Sequence, residues 1–252
     1  MNPAGLLIAA IAGAMFGSFL TVVAHRVPRG ESVVAGRSMC PSCGHQIAAY
    51  DNVPVLSWVT LRGRSRCCGQ PISPRYPLTE ITLAALFLGV LLRFHGDPGE
   101  IAGALVFCAT LLAITLTDLE RRIIPNRVLL VSAALGLAIF AVSDPSSLPE
   151  RLGCALGAGG VLFIAALAYP GGMGMGDVKL AAVMGLFLGV EVIPALLIGL
   201  LAGSIVGIAL IVREGASARK KAIPFGPFLA LGGVTALFAG QALIDLYLRI
   251  FT

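Results

Sequence analysis

Residues 192–212 read VIPALLIGLLAGSIVGIALIV and contain no charged side chain. A helix needs about 20 consecutive apolar residues to cross the hydrocarbon core of a bilayer, so this stretch predicts a transmembrane helix. Val178 to Val190 directly precedes it and is apolar but short. Working outward along the chain, similar runs predict eight spans, at about 4–24, 78–94, 100–117, 127–143, 152–169, 178–190, 192–212 and 225–247.

The composition excludes an ordinary soluble protein. The chain has 252 residues, of which 57% are hydrophobic and 12% charged, whereas soluble domains are about a quarter charged. The first apolar run begins almost at Met1 without a basic segment before it and is long enough to stay in the membrane, so we predict no cleavable signal peptide. The predicted fold class is an all-α polytopic membrane protein with about eight transmembrane helices.

The distribution of basic residues predicts the orientation. The span order places every Lys and Arg on one side of the membrane except Arg93, Arg151 and Arg249. Basic residues collect in cytoplasmic loops, so this side is the cytoplasm and the N-terminus lies outside. The net charge of +5 therefore reflects membrane topology, and we predict the lipid bilayer and no nucleic acid as a partner.

One polar insertion, at residues 26–77, is long enough to fold by itself. It carries four cysteines, Cys40, Cys43, Cys67 and Cys68, while Cys108 and Cys154 lie within apolar spans. A reducing cytosol disfavours a disulfide and favours a metal site, and zinc stabilises modules that are too small for a core. Ser65 occupies the position where a second C-x-x-C pair needs its first cysteine. Three alternatives follow: a four-thiolate zinc site, a three-cysteine site with another ligand such as His45, or no metal.

Two of the 13 acidic residues are out of place. Asp118 closes the apolar run before residues 119–126, and Asp177 follows the glycine-rich stretch GMGMG at 172–176. Ionisable groups at the edge of the hydrocarbon layer are costly and usually functional. Each aspartate alone suits a helix cap, but the topology places both at the cytoplasmic ends of spans and so at one depth.

Two carboxyl groups that share a site do not both ionise cheaply, so such a pair holds one proton. The ionised member takes a proton from water while the protonated member polarises the scissile carbonyl, which is aspartic-peptidase chemistry. We therefore predict Asp118 and Asp177 as catalytic. The glycines Gly174 and Gly176 would let an extended substrate approach, and Lys179 would orient Asp177 or the substrate, or serve only as a topogenic charge.

The chain resembles the type IV prepilin peptidase family, also called type II secretion leader peptidases. The resemblance covers nearly the whole chain and rests on several motifs in order: FGSFL at 16–20, RVP at 26–28, DNVPVLSW at 51–58, LRG at 61–63, ISPRYP at 72–77 with Glu80, TD at 117–118 with IIPN at 123–126, GMGDVKL at 174–180 and PFGPF at 224–228. Two positions depart from the family: Ser65 replaces a zinc cysteine, and Thr21 stands where the family has asparagine.

The resemblance implies a bifunctional enzyme of the bacterial inner membrane. Its substrates would be prepilins or pseudopilins, whose basic leader it removes at the cytoplasmic face with Asp118 and Asp177. It would then methylate the new N-terminus with S-adenosylmethionine, for which the residues themselves indicate no binding site. The implied organisation is a first transmembrane helix at 1–25, a zinc-ribbon-like cytoplasmic module at 26–77 and a peptidase core at 78–252.

Two other classes of protein remain as alternatives. A transporter would carry proton-coupled carboxylates near the midplane and often internal repeats, whereas both aspartates here lie at one face. A membrane scaffold with a zinc module would be unaffected by Asp118→Asn and Asp177→Asn. Proton flux and these two variants discriminate between the three classes.

Overall fold

The computed structural model describes residues 3–34, 36–94, 96–169, 172–215 and 223–251. The chain divides into two compact units, Met1–His95 and Gly96–Thr252. Within the described residues the secondary structure is helical apart from two isolated β-bridges in the first unit. The basic residues Arg219, Lys220 and Lys221, which contribute to the predicted orientation, lie outside the described residues.

The first unit consists of two long helices and the polar insertion between them. Its helices are α1 (Pro3–Arg26), the short α2 (Leu56–Thr60) and α3 (Arg75–Arg93). Helices α1 and α3 pack closely because Gly17 has no side chain: a Cβ there would lie 2.8 Å from the Cα of Glu80. Helix α3 therefore lies with α1 in the first compact unit, and the predicted domain bounds 1–25, 26–77 and 78–252 stay a prediction.

Among the described residues, the second unit contains six α-helices. They are α4 (Pro98–Arg121), α5 (Asn126–Ser143), α6 (Leu148–Ala168), α7 (Met175–Leu188), α8 (Val192–Glu214) and α9 (Gly226–Phe251). Asp97 caps the start of α4, because its Oδ1 accepts hydrogen bonds from the backbone N–H groups of Gly99 and Glu100. Pro98 follows at a position where a missing N–H costs nothing.

Seven segments within the described residues are long and apolar enough to cross a membrane. The sixth, Met175–Glu214, contains both α7 and α8, joined by the 3₁₀ turn Gly189–Glu191. The predicted polytopic helical fold is confirmed, and the count differs from eight at residues 178–190. Helix α7 has 14 residues, or about 21 Å of rise, against a hydrocarbon core of about 30 Å.

Helix α7 is short because protein, rather than lipid, surrounds it. Ten of its 14 residues are buried, and it packs mainly against α6 with further contacts to α4, α5 and α9. A helix that is hydrophobic all round is a core helix. By contrast, α8 exposes a stripe of large apolar residues, Leu197, Leu201, Ile205 and Ile208, which is the surface expected towards lipid.

An aromatic cluster and one arginine fix the end of α7. Phe187 stacks on Phe107 of α4, with ring centroids 5.3 Å apart, and meets Phe140 of α5 edge-on at 6.0 Å. Arg151 lies 3.7 Å above the Phe140 ring, donates to the Phe187 carbonyl at 2.8 Å and pairs with Glu100. The opposite end of α7, which carries Asp177, is thereby held at a fixed distance from this cluster.

Candidate active site and metal centre

Asp118 lies in the last turn of α4 and is 5% exposed. The helix ends just beyond it, where Arg122 adopts a left-handed backbone conformation (φ 56°) and its N–H donates to the Asp118 carbonyl at 2.8 Å. The Asp118 side chain is bound from a distant part of the chain: Oδ2 accepts a 2.8 Å hydrogen bond from the backbone N–H of Gly226. The neighbouring Thr117 is fully buried, and its hydroxyl donates to carbonyl groups of its own helix.

Asp177 lies in the first turn of α7 and is 8% exposed. Its Oδ2 accepts a 3.2 Å hydrogen bond from the N–H of Gly174, the residue before the helix. This is one half of a capping box, in which the third helical residue reaches back to the cap. Asp177 therefore caps the start of α7 from the third helical position, and its carboxyl group lies in the buried first turn.

The two aspartates come together at one end of the second unit. At this end α4 finishes at Arg121, α5 begins at Asn126, α7 begins at Met175 and α9 begins at Gly226; we call it the aspartate end. Helices α4 and α7 are in contact. Residues 118 and 177 therefore place two nearly buried carboxyl groups at this end of the unit.

Gly176 explains how the connection after α4 reaches the start of α7. A Cβ at Gly176 would lie 2.8 Å from the Cβ of Ile124, which follows α4. The missing side chain thus allows the segment after Asp118 to pack on the turn before Asp177. The predicted role of Gly174 and Gly176 in substrate approach stays a prediction beside this packing role.

Lys179 forms a hydrogen bond to the start of α5. Its side chain is exposed, and Nζ donates a 3.0 Å hydrogen bond to Oδ1 of Asn126, the first residue of α5. Among the described residues this contact ties α7 to α5 at the aspartate end and does not involve Asp177. A direct contact of Lys179 with substrate stays a prediction.

Gly226 is the residue at this site to which the sequence assigned no role. The motif at 224–228 is visible as a glycine between two prolines, a pattern typical of a helix start. Nothing local to that pattern indicates that its N–H points at Asp118, because the two residues are 108 positions apart. Only the packing of α9 against α4 brings them together.

The four cysteines of the first unit form one cluster. The Sγ atoms of Cys40, Cys43, Cys67 and Cys68 all lie within 4.8 Å of one another, with Cys40–Cys68 at 3.7 Å and Cys43–Cys67 at 3.3 Å. Zinc–sulfur bonds of about 2.3 Å in a tetrahedron place the sulfurs about 3.8 Å apart. The donor set and its spacing therefore fit a zinc ion, and His45 contributes only its carbonyl, which accepts from Cys40 N–H at 2.8 Å.

Two turns of the same shape present the sulfurs. In the first, the bridge between Met39 and Gln46 closes a turn in which Gly44 N–H bonds the Cys40 carbonyl. In the second, the bridge between Arg64 and Pro71 closes a turn in which Gly69 N–H bonds the Ser65 carbonyl. Ser65 therefore stands where Cys40 stands in the first turn, and Cys67 reaches the cluster from within the turn.

Ser65 keeps a polar role in the cluster. Its hydroxyl donates to Cys40 Sγ at 3.5 Å and lies 3.0 Å from Cys67 Sγ. Donation by Ser65, supported by backbone N–H groups, lowers the pKa of the Cys40 thiol to about 6. The adjacent pair at 67 and 68, which looked irregular in the sequence, thus completes a four-sulfur set.

A bidentate ion pair holds the second turn in place. Arg66 lies between Ser65 and Cys67, and its Nε and Nη2 each donate to the Asp51 carboxylate at 2.8 Å. This guanidinium holds the pKa of Asp51 below its usual range. Trp58 adds a second tie, because its Nε1 donates to the Ile72 carbonyl at 3.1 Å.

Several apolar membrane-length helices and two nearly buried aspartates at helix ends define the class: a multi-pass membrane protein with two carboxyl groups at one end of its second unit. Two family models match the chain. The Bacterial Peptidase A24 N-terminal domain matches residues 11–94, and the Type IV leader peptidase family matches residues 105–212. The chain belongs to the type IV leader peptidase family.

Curated relatives cover most of the chain and carry one name, "Prepilin leader peptidase/N-methyltransferase". The chain is 36% identical to the relative from Burkholderia pseudomallei (strain 1026b), over 93% of this chain and 85% of that protein. It is 36% identical to the Aeromonas hydrophila relative, over 94% and 91%, and 35% identical to the Bacillus subtilis (strain 168) relative, over 97% and 98%. No solved structure matches the chain.

Proposed function

We propose that this protein cleaves the leader from type IV prepilins or pseudopilins and methylates the N-terminus that cleavage exposes. The names of its relatives support both activities, and the matched family model supports leader cleavage. The observation that carries the peptidase half is that two nearly buried carboxyl groups, Asp118 and Asp177, lie at one end of the unit.

In the proposed reaction the two carboxyl groups share one proton. The ionised member removes a proton from water, whose oxygen attacks the scissile carbonyl, while the protonated member donates a hydrogen bond to the carbonyl oxygen. The tetrahedral intermediate collapses by breaking its C–N bond, and the departing amine takes a proton from the carboxyl group that accepted it from water. Burial of both groups lowers the local dielectric constant and thereby strengthens these interactions.

We assign substrate positioning to the residues around Asp177. Gly174 and Gly176 carry no side chains of their own beside the carboxyl group, although Ile124 packs on Gly176. Lys179 holds the starts of α5 and α7 together through Asn126. An extended peptide would lie along this edge, with its apolar segment in the bilayer. We assign the peptidase core to residues 78–252, the first span to 1–25 and the cysteine module to 26–77.

The proposed location is the bacterial inner membrane, with the N-terminus in the periplasm and the aspartates at the cytoplasmic face. The charges of the second unit support this orientation. Arg121, Arg122, Arg127 and Lys179 lie at the aspartate end, whereas Arg151 lies at the other. A prepilin whose basic leader stays in the cytoplasm would present its scissile bond at that face.

A structural zinc ion is the proposed occupant of the cysteine cluster. Cys40, Cys43, Cys67 and Cys68 would hold it as thiolates, with Ser65 donating a hydrogen bond to the sulfur of Cys40. The ion would join the two turns of a segment that contains little regular structure, and its binding free energy would become folding free energy. We assign it no part in the cleavage chemistry.

The proposed methyl donor is S-adenosylmethionine, whose sulfonium supplies an electrophilic methyl group to the free amine. Within the part of the chain that the structure describes, we assign no group of residues to this cofactor. No step of the cleavage mechanism runs through it.

The proposed function is tested by incubating the purified protein in detergent with a prepilin, with and without S-adenosylmethionine, and measuring product masses. We expect a product without its leader in both reactions and one added methyl group only when the donor is present. The B. subtilis relative, tested on its own and on the same prepilins, serves as the control. If that relative cleaves a panel of prepilins that this protein leaves intact, the proposed function is wrong.

A further inference from the structure

We propose that the segment 224–228 is a third part of the peptidase site, in which the backbone N–H of Gly226 positions the Asp118 carboxylate. The catalytic consequence of this contact rests on the proposed function. The contact itself rests on geometry alone. Gly226 is thus a positioning residue that acts through Asp118.

The Gly226 N–H is a donor that the helix itself does not use. Gly226 is the first residue of α9, and the first N–H groups of a helix have no partner within it. Pro227 has no N–H, while the N–H groups of Phe228 and Leu229 both donate to the Phe225 carbonyl, at 3.0 and 3.2 Å. In this first turn Gly226 alone donates across to another helix, at 2.8 Å from Asp118 Oδ2.

This arrangement places the start of a helix against a carboxylate. The partial positive charge at the N-terminus of a helix stabilises a nearby anion, and the hydrogen bond to a charged acceptor is stronger than one between neutral groups. Because Oδ2 is bound by Gly226, the carboxyl plane is fixed. Among the described residues Oδ1 accepts no hydrogen bond, which leaves this oxygen for water and for the partner aspartate.

Position 226 requires glycine for steric reasons. A Cβ there would lie 2.9 Å from Asp118 Oδ2, 3.2 Å from Ile114 Cγ2 and 3.3 Å from Asp118 Cβ. Real Cβ atoms essentially never show the 2.9 Å contact, and the other two contacts are unusually tight, so either α9 or the Asp118 side chain must move. The segment itself is anchored, since a Cβ at Gly203 of α8 would lie 2.6 Å from the ring of Phe225.

The first test needs no activity. Amide hydrogen exchange at Gly226 is measured in the full-length protein. A peptide that covers residues 224–228 contains few other backbone amides, because two of its residues are prolines. We expect Asp118→Ala to accelerate exchange at Gly226 by about tenfold or more, because the acceptor is lost. Asp118→Asn, which keeps an acceptor oxygen, should retain part of the protection. Equal exchange in the wild-type protein and Asp118→Ala would overturn the contact.

The second test compares Gly226→Ala with Gly233→Ala. The control residue, Gly233, lies on the same helix and is equally crowded, since a Cβ there would lie 2.9 Å from Leu111 Cδ1. The neighbour at this position is the end of an apolar side chain and not the Asp118 carboxyl group. We expect Gly226→Ala to lower kcat for prepilin cleavage about 10- to 100-fold with KM nearly unchanged, because a displacement of about 1 Å costs this much. Gly233→Ala should keep kcat within about threefold.

The two tests separate the possible failures. Equal kcat values for Gly226→Ala and Gly233→Ala would overturn the positioning role, and thermal unfolding of both variants shows whether a loss reflects misfolding. Wild-type protein that protects the Gly226 amide but cleaves no prepilin would refute the proposed function and leave the contact between α9 and Asp118 standing.

Discussion

Asp118→Asn and Asp177→Asn are each expected to lower prepilin cleavage by about a thousandfold or more. Asparagine matches aspartate in shape but neither accepts the proton of water nor donates one to the carbonyl, so either change removes an acid–base group on which the whole step depends. The measurement is the initial rate of leader release by purified protein, followed by product mass.

The folded state should survive both changes. The Asp177 cap and the Asp118–Gly226 hydrogen bond need only an acceptor oxygen, which asparagine supplies. Glu120→Gln is a matched control, because Glu120 is exposed on the same turn as Asp118, and it should cleave at nearly the wild-type rate. Methylation of a prepilin from which the leader is already removed should continue in both aspartate variants. Full cleavage activity in either variant would remove that residue from the mechanism.

Zinc removal is the second change with a large expected effect. The purified protein should contain equimolar zinc, and Cys40→Ser should reduce its zinc content well below that level and unfold the insertion. Cys40 is nearly buried at 4% exposure, and an apparent zinc affinity of about 10–16 kcal/mol couples directly to folding in small modules. Elemental analysis and limited proteolysis between α1 and α3 measure the two effects.

The matched variants exploit the two similar turns. Cys67→Ser should lose zinc, and adding Ser65→Cys to it should restore binding, because residue 65 occupies in the second turn the position that Cys40 occupies in the first. Cys154→Ser, in α6, should leave the zinc content unchanged. Wild-type protein with zinc well below equimolar would refute the site, and retention of zinc by Cys67→Ser would refute the four-sulfur set.

The sequence predicted those features that depend on composition and local pattern. Apolar run length identified the spans, and an acidic residue beside such a run marked Asp118 and Asp177 as unusual. The sequence could not predict that other helices enclose α7, because lipid and protein interiors favour the same apolar side chains. Residues 178–190 therefore looked like a weak eighth span.

Contacts between residues that are distant in the chain could not be predicted from the sequence either. The Gly226–Asp118 hydrogen bond spans 108 positions and uses a backbone group that carries no side-chain signal. The packing of Gly176 on Ile124 and the bond from Lys179 to Asn126 likewise depend on how helices assemble. In the cysteine cluster, the sequence indicated four candidate ligands and left three alternatives open. Only the two similar turns explain how Cys67 joins the cluster while Ser65 occupies the position of a cysteine.

The most direct test of the acidic pair is a cross-link between positions 118 and 177. Asp118→Cys and Asp177→Cys are combined in a protein that carries Cys108→Ala and Cys154→Ala, and the membranes are treated with a mild oxidant and a short thiol-specific cross-linker. The control pairs Asp118→Cys with Asp144→Cys, since Asp144 follows the far end of α5. We expect rapid linkage of 118 to 177, mapped by mass spectrometry, and none of 118 to 144. Failure to link 118 to 177, or equal linkage of the control pair, would contradict a shared site.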